Sequence, residues 1–341
     1  MNPRQRDPRI EWIKLIAIFA VIFQHLIHAP ELRMLTRLTH GAVPAFALLS
    51  VLFSVRAGLH QTDFWGWLKS RALRLYSLFL VWNSLYLGMR MLSSGAGAPT
   101  TFRGFSSTEY FLTGYDNALW FIPFILVANS IGFASAYAIR RLPRKLIVSI
   151  AWLLAASALA LAVSPWFGTL KFDLITLGLG RKAIPAALLG MAVGIIPREL
   201  DSFVYRGRGG AALYLIILAT GWYVLMTYGR GIFLAETLIG VSGVCLALRL
   251  IPKTAVVVQP ELTLFLFVAH SLYIHALRKA SFFLGYDWEK ASAFISLLGF
   301  GALAALLTGS YFLIRKTMVG NVALARVARG HAANGAQERP G

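Results

Sequence analysis

The chain has 341 residues, of which 57% are apolar and 14% are charged, and its mean hydropathy is +0.66. Soluble domains are about 45–50% apolar and about 25% charged, so this composition excludes a soluble enzyme, a disordered chain and a disulfide scaffold. The net charge of +19 comes from Lys and Arg residues between apolar runs. That distribution is typical of topology signals and anionic-lipid contacts rather than of nucleic-acid binding.

Ten apolar runs follow one another along the chain, and each predicts a transmembrane helix. The runs are Ile10–His28, Gly41–Val55, Leu73–Met91, Ala118–Ile139, Leu146–Val163, Ala183–Ile196, Ala211–Tyr228, Ile232–Leu250, Leu262–Leu277 and Ala291–Ile314. The sequence therefore predicts an all-α, polytopic membrane bundle of about ten helices. We expect the membrane domain to cover residues 1–316 and a flexible cytosolic tail to cover residues 317–341.

The basic residues are unequally distributed between the two sides that ten spans would define. Counted in alternate flanks, 21 of the 33 Lys and Arg residues fall on the side of the N-terminus and 11 on the other, with Lys14 inside the first run. Because cytoplasmic loops carry the excess of Lys and Arg, both termini are predicted to be cytosolic.

The first run carries four ionisable residues, Glu11, Lys14, His25 and, at its end, His28. An eleven-residue step on a helix returns to within about 20° of its starting direction, so Lys14 and His25 share one face, about 16 Å apart along the axis. Imidazole is the side chain whose unperturbed pKa suits proton transfer near neutrality, and burial in the membrane would keep it uncharged. The simpler interpretation is a Glu11–Lys14 ion pair at the interface and a packing role for His25.

A basic cluster, Lys69, Arg71 and Arg74, lies where the third run begins. Arg71 and Arg74 are three residues apart and so lie on one helix face, with planar guanidinium groups that suit phosphate. Anchoring by the positive-inside rule explains the same residues without a ligand.

Several other polar or aromatic residues are predicted at the depth of His25 if odd-numbered helices run outward. They are Asp116, Trp120, Glu236, Tyr273 and His275. For Glu236 a structural hydrogen bond and a catalytic role both remain open. His270 is predicted to lie deeper and to be a packing residue.

Five motifs in chain order resemble the acyltransferase 3 family of integral-membrane acyltransferases. They are Arg9-Ile-Glu-Trp-Ile-Lys14 followed by His25, Val43-Pro44-Ala-Phe46-Ala-Leu-Leu-Ser50, Arg71-Ala-Leu-Arg74, Ala118-Leu-Trp120-Phe121-Ile and Ser271-Leu-Tyr273-Ile-His275. The chain departs from the family pattern at Glu11, where Asp is commoner, and at Val51, where Gly is usual.

The resemblance implies transfer of an acyl group, commonly acetyl, from cytosolic acyl-CoA to a hydroxyl of an extracytoplasmic or lipid-linked carbohydrate. It implies a catalytic role for His25, as base or acylated relay, and donor binding by Lys14, Arg71 and Arg74. The shared depth, not the resemblance, offers Glu236 as a catalytic partner of His25. Asp116, Trp120, Tyr273 and His275 would contact the acceptor or support the site. No bound cofactor, metal or nucleic acid is expected, and the expected partners are acyl-CoA, the carbohydrate and lipid of a bacterial inner membrane.

Two other classes compete with this interpretation. A secondary transporter or flippase for a glycan, lipid or small anion would use intramembrane Glu236, His25 and His270 as a proton or substrate path. A non-catalytic membrane scaffold is the third possibility. The order of the Lys14–His25 and Arg71–Arg74 motifs favours the enzyme, whereas a transporter should show repeated halves.

Overall fold

The computed structural model describes residues 7–61, 63–94, 119–164, 181–196, 209–228, 233–256 and 258–337. All regular elements in these ranges are helical. The α-helices are α1 (Pro8–Leu26), α2 (Arg33–Leu38), α3 (Ala42–His60), α4 (Phe64–Ser94), α5 (Phe121–Ile139), α6 (Arg144–Val163), α7 (Ile184–Ile195), α8 (Gly210–Tyr228), α9 (Phe233–Leu250), α10 (Pro260–Phe283) and α11 (Ala293–Gln337). Short 3₁₀ turns occur at Pro30–Leu32, Thr39–Gly41 and Trp288–Lys290.

The all-α polytopic class is confirmed, but the count of ten spans is not. Each predicted apolar run overlaps one helix, and seven helical stretches are long and apolar enough to cross a membrane. These are Pro30–His60, Phe121–Ile139, Arg144–Val163, Gly210–Tyr228, Phe233–Leu250, Pro260–Phe283 and Ala293–Thr317.

The difference between ten and seven has physical causes in the remaining helices. α1 has 19 residues but carries the charged side chains Arg9, Glu11 and Lys14. α7 has only 12 residues, fewer than the roughly 17–25 that span a hydrocarbon core. α4 is 31 residues long and holds three basic residues near its start.

α3 is the central helix of the bundle. It packs against α1, α5, α7 and α9, and its side chains Ala47, Val51 and Val55 are fully buried. Small residues permit this close packing: a Cβ added at Gly190 of α7 would lie 2.4 Å from the Leu48 carbonyl oxygen. Such close backbone approach is typical of helices that associate in membranes.

α10 forms a second centre of packing, in contact with α1, α4 and α11. At the periphery, α6, α8 and α11 expose large apolar side chains, including Trp152, Ile216 and Leu313, as helices that face lipid do. The α11 backbone continues as helix from Ala293 to Gln337, through most of the predicted tail.

Candidate active site

A cavity of about 360 Å³ lies among α1, α3, α4, α5 and α10. Its charged lining residues are Asp7, Glu11, Lys14, Arg71, Arg74 and Glu261. Its apolar wall includes Phe46, Phe53, Leu75, Phe121, Ile122 and Phe267. The three residues that sequence reasoning associates with an acyl-CoA donor, Lys14, Arg71 and Arg74, thus line one cavity although they come from two helices.

Two of the cavity's carboxylates are bonded by neighbouring cations. The Arg9 guanidinium donates to both oxygens of Asp7, with Nη2 2.5 Å from Oδ2, and also to the Leu248 carbonyl oxygen. Lys14 Nζ lies 3.0 Å from Glu11 Oε1, the ion pair that the sequence suggested.

The two arginines of α4 occupy different surroundings. Arg71 is half-buried, with its guanidinium carbon 5.6 Å from the centre of the Trp67 ring. Arg74 is exposed and also lines a neighbouring open groove of about 520 Å³, together with Lys69 and Ser70. The cavity and the groove therefore meet at a basic rim, which suits an anionic ligand.

His25 does not line this cavity, and it is exposed rather than buried. The described part of the protein therefore does not itself bury this ring. α1 ends at Leu26, so His25 lies in its last turn, where fewer neighbours cover a side chain than in the middle of a helix.

The closest ring to His25 among the described contacts is His270 of α10, with the ring centroids 5.6 Å apart. His270 is 1% exposed, and its Nδ1 lies 2.6 Å from the Phe267 carbonyl oxygen. A carbonyl oxygen only accepts, so Nδ1 donates and Nε2 of the neutral ring is left as an acceptor. Since Phe267 lines the cavity, the histidine pair lies within one helical turn of its wall.

The depth argument for His270 is therefore corrected by the structure. The predicted ninth run ends at Leu277, whereas α10 continues to Phe283, so the end of the run does not mark the end of the helix. The end of an apolar run is not a fixed level in the membrane, and the two histidines meet side by side.

Side chains of α10, of the 3₁₀ turn after it and of α4 bond to the backbone next to His25 and His270. Arg278 Nη2 donates to the His25 carbonyl oxygen (2.9 Å) and to His28 Nε2 (2.6 Å), and Trp288 donates to the Leu26 carbonyl oxygen (3.0 Å). These contacts satisfy carbonyls that the C-terminus of α1 leaves without helical partners.

On the side of α10, the Tyr86 hydroxyl accepts from Leu272 N–H (2.6 Å) and donates to the Val268 carbonyl oxygen (3.1 Å). An α-helix pairs those two backbone groups with each other, and they flank His270. Tyr86 of α4 thus fixes the turn that carries the buried histidine.

Glu236 has a different ion-pair partner from the one that sequence reasoning sought. His40 Nδ1 lies 3.2 Å from Glu236 Oε1, and both side chains are buried. The amide nitrogen of Gln24, the residue before His25, lies 3.4 Å from His40 Nε2. Close packing allows this contact, because a Cβ added at Gly240 would lie 2.6 Å from the Gly41 carbonyl oxygen.

Trp120 and Tyr273 make their described contacts with groups other than the His25–His270 and His40–Glu236 pairs. Trp120 is buried among Phe121 and Phe124, with Lys182 Nζ 5.9 Å from its ring. Tyr273 donates to Ser310 Oγ (2.9 Å), and His275 is exposed. Asp116 lies outside the described residues.

Sequence reasoning missed His40, Arg278 and Tyr86. His40 and Arg278 lie immediately outside predicted apolar runs, where polar residues are ordinarily solvated, and a tyrosine near a span end is ordinarily an interfacial residue. Only His270 could have been found from the sequence, because an ionisable residue inside a span is costly and therefore indicates a function. Within the described ranges, no group of three or more His, Cys, Asp or Glu residues could hold a metal ion.

Comparison with known proteins gives one family. The model of the acyltransferase 3 family, described as an acyltransferase domain, matches residues 7–314. No curated protein and no solved structure matches the chain.

Proposed function

The chain belongs to the acyltransferase 3 family, and from that premise we propose that it transfers an acyl group, commonly acetyl, from acyl-CoA to a hydroxyl of a carbohydrate. Seven apolar helical stretches support a location in a membrane. We further propose the bacterial inner membrane, with both termini and the acyl-CoA on the cytosolic side and the carbohydrate on the other side or linked to lipid.

One observation carries this proposal. Lys14, Arg71 and Arg74 share a cavity with Phe267. The Phe267 carbonyl oxygen accepts a hydrogen bond from His270, which lies beside His25. A basic rim and an imidazole pair are therefore connected through one helical turn. The rim suits the phosphates of acyl-CoA, because guanidinium groups make charge-assisted, bidentate hydrogen bonds to phosphate. The imidazole pair supplies the proton acceptor that acyl transfer to an alcohol needs.

His25 would act in one of two ways. In direct transfer, the acceptor hydroxyl gives its proton to His25 while its oxygen attacks the thioester carbonyl, and the C–S bond then breaks to release a thiolate that regains the proton. In a relay, a His25 nitrogen attacks the thioester carbonyl, the C–S bond breaks, and the departing thiolate takes the ring proton to give CoA. The acceptor oxygen then attacks the acyl-imidazole, the C–N bond breaks, and the hydroxyl proton returns to the ring. Both sequences yield an ester and free CoA.

His270 would support either route. Its Nδ1–H contact to Phe267 makes Nε2 of the neutral ring the acceptor, and an acceptor beside His25 would stabilise an imidazolium that forms there. We assign Glu236 to a supporting role on the acceptor side, through His40 and Gln24, because Gln24 and His25 are consecutive residues of α1.

The experiment compares membranes that contain the chain with membranes that lack it, each supplied with radiolabelled acetyl-CoA and the host's surface glycan. We expect saturable, chain-dependent formation of an alkali-labile glycan ester with stoichiometric release of CoA. If neither acetyl-CoA nor longer acyl-CoA donors give chain-dependent ester, the proposal is wrong.

A transporter or flippase is the second candidate, favoured by the buried His40–Glu236 pair in the interior of the bundle. Buried ionisable pairs in spans often mark proton or substrate paths. This candidate predicts chain-dependent movement of a labelled glycan or anion across sealed vesicles without release of CoA.

A further inference from the structure

The cavity that holds Lys14, Arg71 and Arg74 has further polar groups in its wall. Glu11, Ser50 and Thr263 line it, from α1, α3 and α10 respectively. Glu11 and Thr263 are each only 4% exposed. Phosphate binding at the rim does not account for these three side chains.

Glu11 is satisfied at one oxygen only. Oε1 accepts from Lys14 Nζ at 3.0 Å, while Oε2 is buried and has no hydrogen-bond partner among the described residues. A buried carboxylate oxygen without a donor is costly, and such exceptions in a native site call for a ligand or another unseen donor.

Thr263 shows the same deficit. Its Oγ1 is buried and has no partner within the described part of the chain. Other helical Thr residues here, such as Thr36 and Thr220, donate to the carbonyl oxygen four residues earlier. The Thr263 hydroxyl does not make that bond, so among the described residues its hydrogen has no acceptor.

Ser50 is held in place from behind. Asn129 Nδ2 donates to Ser50 Oγ at 3.0 Å, which leaves the hydroxyl hydrogen of Ser50 available to a further acceptor. The residues that line the cavity therefore carry one strong acceptor without a partner among the described residues, Glu11 Oε2, and two hydroxyl groups, set among aromatic and aliphatic side chains.

The polar groups and the apolar wall of the cavity together indicate which kind of ligand segment fits beside the basic rim. A phosphate would be repelled by the Glu11 carboxylate, and a hydrocarbon chain would leave Glu11 and Thr263 without partners. A neutral chain with secondary amides satisfies both, since each amide offers one N–H donor and one carbonyl acceptor between apolar methylenes. The cavity volume of about 360 Å³ lies near the lower end of the roughly 300–1,000 Å³ of ligand pockets, as expected for an arm rather than a whole nucleotide-bearing donor.

We propose that Glu11, Ser50 and Thr263 form a subsite for the amide-bearing pantetheine arm of the acyl donor. Glu11 Oε2 accepts from an amide N–H, and the Thr263 and Ser50 hydroxyls donate to amide carbonyl oxygens. The subsite rests on the proposed function and adds a determinant of donor specificity that is separate from the phosphate contacts of Arg71 and Arg74.

The test uses two donors, acetyl-CoA and acetyl-pantetheine, which has the arm without the phosphates and the nucleotide. In Thr263→Val, which keeps the shape of the side chain, we expect the KM for both donors to rise by the same factor, about fivefold for a neutral hydrogen bond. In Arg71→Ala, the KM for acetyl-CoA should rise and that for acetyl-pantetheine should stay unchanged. Thr263→Ser, which restores a hydroxyl, should recover most of the wild-type KM.

Thr237→Val is the matched control. Thr237 is also 4% exposed with an unpartnered Oγ1 among the described residues, but it belongs to α9 and does not line the cavity. We expect its donor KM to equal that of the wild type. Thermal melting of each purified variant shows whether it is folded, and the Thr263→Ser comparison separates loss of the hydroxyl from loss of packing.

The outcomes distinguish the subsite from the function on which it rests. A wild-type protein that uses acetyl-CoA, together with Thr263→Val and Ser50→Ala variants of unchanged KM, overturns the subsite alone. A wild-type protein that uses neither donor overturns the proposed function and the subsite with it. An equal rise in Thr237→Val would show that any buried hydroxyl has this effect and would also overturn the subsite.

Discussion

The imidazole rings of His25 and His270 lie with their centroids 5.6 Å apart and their planes inclined by 34°. One ring is exposed and the other is buried, so the pair joins the surface of the bundle to its interior. A base oriented by a second group, which is itself held by a third, is the usual arrangement of an activated base or nucleophile. Under the proposed function, His270, whose Nδ1 donates to the Phe267 carbonyl oxygen, would be the group that supports His25.

His25→Ala should abolish O-acylation of the glycan, by roughly 10²-fold or more, because the transferred proton or the acyl group would have no acceptor. His25→Gln, which keeps size and polarity, should fail equally. The measurement is ester formation per unit of membrane protein, with protein level checked by immunoblot. Wild-type activity in a well-expressed His25→Ala protein would falsify the assignment and favour the transporter.

His270→Asn should lower kcat by about tenfold or more and leave the donor KM unchanged, since His270 supports His25 and does not line the donor cavity. Tyr86→Phe should lower kcat less, because it removes the hydroxyl that contacts Val268 and Leu272 but keeps the ring. Tyr311→Phe is the control: it also removes a tyrosine hydroxyl, one that donates to Gln259 Oε1 and does not contact the backbone beside His270. We expect it to retain wild-type kcat. A change in donor KM alone would contradict the supporting role.

Arg71→Ala and Arg74→Ala should each raise the KM for acyl-CoA, by about tenfold or more for a lost charge-assisted contact. Lys at either position should rescue incompletely, because the planar fork that binds phosphate is lost. Steady-state kinetics against acetyl-CoA measure both effects. Arg140→Ala serves as control, since Arg140 lies at the end of α5 and donates to the Gln61 carbonyl oxygen. Equal KM values in all these variants would leave the arginines of α4 with a topological role only.

His40→Ala should destabilise the protein strongly, by about 3–5 kcal/mol, because Glu236 would remain buried without its partner. The double variant with His40→Gln and Glu236→Gln should cost less than the sum of the two single Gln variants, because neither buried group is then left without its partner. The measurement is thermal melting of the purified variants in detergent. An additive double variant would show that the two side chains do not interact.

Both termini are predicted to be cytosolic, from the excess of Lys and Arg on that side of a ten-span arrangement. Reporter fusions after Arg141 and after Ala323 should therefore both read as cytosolic. An extracytoplasmic signal at either fusion would show that the assumed number of spans before it is wrong by one.

The sequence determined the helical class, because apolar segments inside a membrane must satisfy their backbone hydrogen bonds internally, and a single segment does so as a helix. It also determined that Arg71 and Arg74 lie on the same face of one helix, since a three-residue spacing within a helix is a local property. The family assignment is confirmed over residues 7–314, from motifs that need only their order along the chain.

Only the tertiary structure decided which polar residues meet. Depth along a helix can be estimated from sequence, but the lateral order of helices depends on packing between surfaces far apart in the chain. That packing placed His40 rather than His25 against Glu236, and His270 rather than Tyr273 or His275 against His25. Gly41 and Gly240 permit the first contact, because the absence of side chains at these positions lets the two backbones approach closely.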